Sequence, residues 1–204
     1  MTTALLVIDM QNGFVHPEGS IPLAGRGLPN MDKVIAANAE AISVARSRGV
    51  PVIYTRHCYR SDFLDMPALV SGPLPADPPP LVRGSWDADV VDELAPEPGD
   101  VIVDKNRFDA FLYTDLEVVL RAKGIENLVV TGVVTSVCVE STVRSGQQRD
   151  FTMFIASDAT SAPAEQHQPA LDAMAAIFGT VGRVVDMLDL AMSERPESKA
   201  LLAG

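Results

Sequence analysis

Cysteine is almost missing from this chain: Cys58 and Cys138 are the only two in 204 residues. Two thiols cannot build a disulfide framework or a multi-cysteine metal cluster, so a reducing, cytoplasmic compartment is expected. Long apolar runs are also missing. None approaches the ~20 residues that span a bilayer, and the start MTTALLVID has neither the basic head nor the small-residue cleavage site of a signal peptide. Basic residues are outnumbered, 16 against 27 acidic, and the net charge of −11 disfavours nucleic acid or an anionic membrane as partner. No G-x-G-x-x-G follows the first apolar run, where the residues are DMQNGF, which disfavours a dinucleotide cofactor. Internal repeats and low-complexity blocks are absent as well.

Six short apolar runs are present: Ala4–Ile8, Pro51–Thr55, Val101–Val103, Leu128–Val133, Phe151–Ala156 and Arg183–Val185. Runs this short, rich in Val and bounded by turn residues, suit strands buried on both faces. Helical patterns lie between most of them. Met31 to Arg48 puts Met31, Val34, Ile35, Ile42 and Ala45 on one face and stops at Gly49. The next opens on Thr114-Asp-Leu-Glu, a capping box, and ends at Gly124. Glu165 to Phe178 is the last, with Pro169 expected in its first turn or at a kink. Alternating strands and helices imply βαβ units. The expected fold is an α/β three-layer sandwich, a doubly wound, six-stranded, mostly parallel sheet forming one domain over residues 1–204. Two stretches leave the pattern. Residues 57–86 form a proline-rich irregular excursion with six prolines between Pro67 and Pro80, and residues 193–204 form a tail. Long loops in compact domains are commonly functional covers.

Ligands of such sheets bind at the carboxyl ends of the strands. The first strand ends in Asp9, the third leads to Lys105, and the fourth leads through LVVTGVVTSVCVESTVR to Cys138. Thr135 or Ser136 is a plausible N-cap, which puts Cys138 in a first helical turn, where the helix dipole lowers a thiol pKa. Each residue also has an ordinary interpretation. Asp9 suits a turn cap in DMQNGF, Lys105 a solvated surface position, and Cys138 an inert buried thiol. Carboxylate, ammonium and thiol on one rim suit nucleophilic catalysis.

The runs LLVIDMQNGF, VIVDKNRFDAF and TGVVTSVCVESTVR together resemble the isochorismatase-like cysteine hydrolases, from about Ala4 to Val185. SVCVESTVR and GSWDADVVDEL look most like the ureido- and carbamoyl-amide hydrolases of that superfamily. The resemblance implies a catalytic triad of Asp9, Lys105 and Cys138, an oxyanion hole from the backbone N–H groups of Val134 and Cys138, and a cis peptide at Val133–Val134. It implies hydrolysis of a small amide, ureide or carbamoyl compound through a thioester, with no cofactor, and a homo-oligomer. Phe14, Trp86 and Phe108 are candidates to face the substrate, with core packing the alternative for each. Arg83 and Arg107 are candidates to grip a substrate carboxylate. Nicotinamidases of the superfamily bind a metal through an Asp-x-His pair. Here YTRHCYR puts Thr55 in the carboxylate position, and His57 and His16 lack a second ligand nearby, so no metal is expected. His57 is then a loop residue bonded to backbone. Competing functions are a vinyl-ether hydrolase, which does not need Cys138, and a non-enzymatic thiol sensor.

Overall fold

The computed structural model describes residues 2–67 and 77–193. Six strands, β1 (Thr2–Ile8), β2 (Val52–His57), β3 (Val101–Lys105), β4 (Ile125–Val133), β5 (Thr152–Ser161) and β6 (Thr180–Gly182), form one sheet in the order β3-β2-β1-β4-β5-β6. All neighbouring pairs are parallel. The helices are a short turn α1 (Asn12–Val15), then α2 (Met31–Ser47), α3 (Leu116–Ala122), α4 (Glu140–Gln147), α5 (Ala164–Ile177) and α6 (Val184–Ser193). Alternate side chains of β1 divide between two cores. Leu5 and Val7 pack with Val34 and Ile42 of α2 and Val184 and Leu188 of α6. Leu6 and Ile8 pack with Leu116 and Leu120 of α3, Val143 of α4 and Leu171 and Met174 of α5. The layers are therefore helix, sheet and helix, as a parallel sheet buried on both faces requires.

The last strand differs from expectation. It is Thr180–Gly182, paired with Phe154–Ala156, and Val184 already belongs to α6. Val184, Met187, Leu188 and Ala191 are buried at i, i+3, i+4 and i+7, so a helical apolar face outweighs the β preference of the Val184-Val185 pair. The Asp158 carboxylate accepts the Val184 N–H at 2.8 Å and fixes where the helix begins. The capping box at Thr114 is not formed either. The Thr114 hydroxyl donates to the Ala110 carbonyl at 2.5 Å and accepts from the Leu116 N–H at 3.2 Å, while Glu117 pairs with Arg121 and Arg149. Pro169 lies in the second turn of α5 rather than the first.

The described part of the proline-rich excursion is tied down by hydrogen bonds. Tyr59 N–H donates to the Leu81 carbonyl and Arg83 N–H to the Tyr59 carbonyl, each at 2.9 Å. The Asp87 carboxylate collects Ser20 N–H, Ser20 hydroxyl and Leu81 N–H at 2.8, 2.7 and 2.7 Å. Residues 68–76 of the excursion and 194–204 of the tail lie outside the described residues.

One glycine fixes the approach of the two central strands. Gly132 in β4 has φ +100°, and a Cβ there would stand 2.0 Å from the Ile8 carbonyl oxygen. Gly132→Ala is expected to destabilise the fold by at least about 2 kcal/mol, since both the conformation and the contact oppose a side chain. Chemical denaturation measures it; a midpoint equal to the parent's contradicts this account.

Candidate active site

Strand order reverses between β1 and β4, and ligands of such sheets bind at the carboxyl ends of the strands beside that reversal. Asp9 follows β1 with φ +51°. Its side chain does not cap its own turn. Oδ1 accepts the Thr55 hydroxyl at 2.6 Å, and Oδ2 lies 2.6 Å from Lys105 Nζ. Among the described residues, no well-aligned hydrogen bond ends on Oδ2.

Lys105 ends β3, two strands away, and is buried at 2% exposure rather than solvated. Its Nζ stands 3.5 Å from Cys138 Sγ, 3.1 Å from the Arg107 carbonyl and 3.2 Å from His57 Nδ1. Burial pulls the Lys105 pKa down, but the neighbouring Asp9 and Cys138 outweigh it, and the net shift is upward. The side chain is therefore held as the ammonium.

Cys138 follows β4 in a π turn, Thr135–Val139, with Val134 at its head. Neither Thr135 nor Ser136 caps it. The Thr135 hydroxyl bonds Thr160 and His167, at 2.8 and 3.0 Å, and Ser136 bonds Gln166 at 2.9 Å. The expected low thiol pKa is overturned. The sulfur is buried, and burial pushes the thiol up to about 12. Lys105 opposes that rise, while the Asp9 charge adds to it. A single helical turn does not offset desolvation of a thiolate. The peptide Val133–Val134 is cis, and the Val134 carbonyl accepts the N–H groups of Val137 and Val139 at 3.0 and 3.2 Å.

His57 is not a loop residue. It ends β2, directly paired with Lys105 of β3, and is 2% exposed. Its Nε2 is 2.8 Å from the Tyr59 hydroxyl. Phe14 and Phe108 both approach its ring, with centroids at 6.3 and 6.1 Å. Trp86 does not join them: it is 48% exposed and meets His16 edge to face at 5.0 Å. Arg83 is engaged by Asp104 at 3.2 Å. Arg107 donates to the carbonyls of Asp65 and Asn106, both at 2.7 Å. Donor atoms of Asp9, His57 and Cys138 fall within 4.8 Å of one another. The Lys105 ammonium stands among them and supplies the positive charge that such a set attracts.

Thr55, His57 and Tyr59 were not picked out as site residues from the sequence. A signal existed: β2 neighbours β1, and positions 55, 57 and 59 alternate onto one face. Gln11 was missed too. Its amide accepts His57 N–H at 2.6 Å and donates to the carbonyls of His57 and Ala88 at 3.0 and 2.8 Å, holding the end of β2 against the excursion.

A buried acid, ammonium and thiol thus meet at the switch point of a doubly wound parallel sheet, as in a hydrolase of the α/β class. The sequence profile of the isochorismatase domain matches residues 3–186, and the chain belongs to the isochorismatase family. It is 35% identical to the ureidoacrylate amidohydrolase RutB of Methylobacterium radiotolerans, over all of this chain and 85% of that one. Among solved structures it resembles a cysteine hydrolase from Pseudomonas syringae pv. phaseolicola, with a TM-score of 0.82 and 32% identity over 94% of this chain and 92% of the other. It also resembles N-carbamoylsarcosine amidase from Thermoplasma acidophilum, with a TM-score of 0.71 and 26% identity over 90% and 97% of the two chains.

Proposed function

We propose that this enzyme hydrolyses a C–N bond, other than a peptide bond, in a small ureide or carbamoyl compound, with Cys138 as nucleophile. The observation that carries the proposal is one buried ammonium, Lys105, 2.6 Å from the Asp9 carboxylate and 3.5 Å from the Cys138 sulfur. The ureidoacrylate and N-carbamoylsarcosine amide hydrolases among its relatives support the substrate class.

The chemistry follows from the charges. At rest the buried sulfur keeps its proton, with the Asp9 carboxylate within 4.8 Å of it. As the sulfur attacks the carbonyl carbon, that proton passes to Asp9. The growing thiolate charge is met by Lys105, which is already desolvated and aimed. The N–H groups of Val134 and Cys138 hold the oxyanion. Asp9 then gives its proton to the leaving nitrogen, and the C–N bond breaks. The group stays on sulfur, an acyl group as a thioester and a carbamoyl group as a thiocarbamate. Water attacks next, Asp9 takes its proton, and collapse returns a proton to sulfur. Holding the thiol neutral until substrate arrives protects it from adventitious oxidation.

Release of ammonia or amine from a panel tests the class. An N-carbamoyl amino acid, an N-carbamoyl enamine acid, biuret and nicotinamide make a sufficient set. At least one ureide is expected to be turned over ten times faster than nicotinamide or more. Preference for nicotinamide, or no release from any ureide, refutes it.

A further inference from the structure

We propose that His57, kept neutral with its proton on Nε2, is a positioning residue that anchors the Lys105 ammonium between Asp9 and Cys138. The inference rests on the roles given to Lys105 and Cys138 above.

The hydrogen-bond directions determine the tautomer. An ammonium has three donors and no acceptor. The contact of 3.2 Å between Lys105 Nζ and His57 Nδ1 therefore requires a bare Nδ1, and the ring proton sits on Nε2. Nε2 then donates to the Tyr59 hydroxyl at 2.8 Å. A protonated imidazole would set two cations against each other in a dry pocket. Burial, with Lys105 adding to it, pushes the His57 pKa down to about 3, so the ring stays neutral. The backbone of β2 is held as firmly: Gln11 grips both the N–H and the carbonyl of His57.

The need for an anchor comes from counting. Nζ has four neighbours for three hydrogens: Asp9 Oδ2, His57 Nδ1, the Arg107 carbonyl and Cys138 Sγ. Asp9 alone carries a full negative charge at rest, and unopposed attraction would draw the ammonium onto it. A tighter Asp9–Lys105 pair makes the carboxylate a weaker base and removes positive charge from the sulfur. Two neutral acceptors, one on the lysine's own loop and one on the neighbouring strand, hold Nζ where it serves both. The neutral partner holds position without adding a competing charge.

His57→Asn retains an acceptor near Nδ1, whereas His57→Leu retains only bulk. In His57→Leu, the rate of Cys138 alkylation by iodoacetamide at pH 9 and kcat for the best ureide are expected to fall about 10- to 100-fold, with KM within threefold. That range is what one hydrogen bond to a charged group is worth. His57→Asn recovers both to within about fivefold of the parent. Tyr59→Phe, which leaves Nε2–H without its acceptor, lies between the two. Thermal unfolding of each variant shows that it is folded under the assay conditions. Equal losses in the Asn and Leu variants, or parental alkylation in His57→Leu, overturn the proposal. Lys105→Ala distinguishes the two levels. If it too is alkylated at the parental rate, the assignment of Lys105 fails; if it slows while His57→Leu does not, only the anchor fails. Alkylation needs no substrate, so the test stands whichever amide is cleaved.

Discussion

Cys138→Ser is expected to lower ureide turnover by at least about 1,000-fold while leaving the fold intact. Oxygen replaces sulfur in a buried position whose neighbours are Asp9 and Lys105, so the packing change is small. The chemical change is large. A serine hydroxyl is far harder to ionise than a thiol, and this site offers a carboxylate, not an imidazole, to take its proton. Deleting a nucleophile commonly removes most of the rate enhancement, because the remaining groups act only through it. Steady-state kinetics with unfolding midpoints for both proteins makes the measurement. Turnover by the serine variant within tenfold of the parent sinks nucleophilic catalysis by this sulfur. Alkylation of the parent carries a second expectation with a definite sign. Because burial pushes the thiol up to about 12, its rate keeps climbing above about pH 10, where an ordinary thiol levels off.

Lys105→Met should be the most damaging single change to stability. Lys105 and Asp9 both have fully buried side chains and pair at 2.6 Å. Removing one partner leaves an uncompensated charge in the interior, which costs about 3–5 kcal/mol. For a domain of this size, that is a fall in Tm of about 6–20 °C. Activity should vanish with it. The double variant Asp9→Asn, Lys105→Met removes both charges and is expected to recover most of the lost stability and none of the activity. Calorimetry on the three proteins decides the matter: a double variant no more stable than Lys105→Met contradicts a pair whose charges matter mainly to each other.

The parallel sheet and the meeting of Asp9, Lys105 and Cys138 were legible in the sequence because both are written in local patterns. Val-rich runs between helical stretches announce strands, and residues at the ends of parallel strands share a rim. What escaped depended on partners distant in the chain. Thr135 looked like a cap, but its hydroxyl is taken by Thr160 and His167. Val184-Val185 looked like a strand, but the face that includes Met187 and Leu188 is packed as a helix. His57 looked like a loop residue, because the partners of its ring nitrogens come from Lys105 across the strand pair and from Tyr59 beyond the strand end. The raised thiol pKa is hidden for a related reason: a helix start is visible in a sequence, whereas the depth at which it lies is not.

Lys105 belongs to the outermost strand on its side of the sheet, with β2 standing between it and β1. Two interstrand spacings amount to roughly 9.5 Å, a gap that only a long, slender, unbranched cation can bridge from a fixed backbone to a short carboxylate. The guanidinium of arginine is bulkier and planar, and it would have to replace an ammonium whose Nζ stands only 3.2 Å from His57 Nδ1. Side-chain length is thus part of what brings the charge to Asp9, and an exchange that conserves charge here should prove as harmful as one that abolishes it.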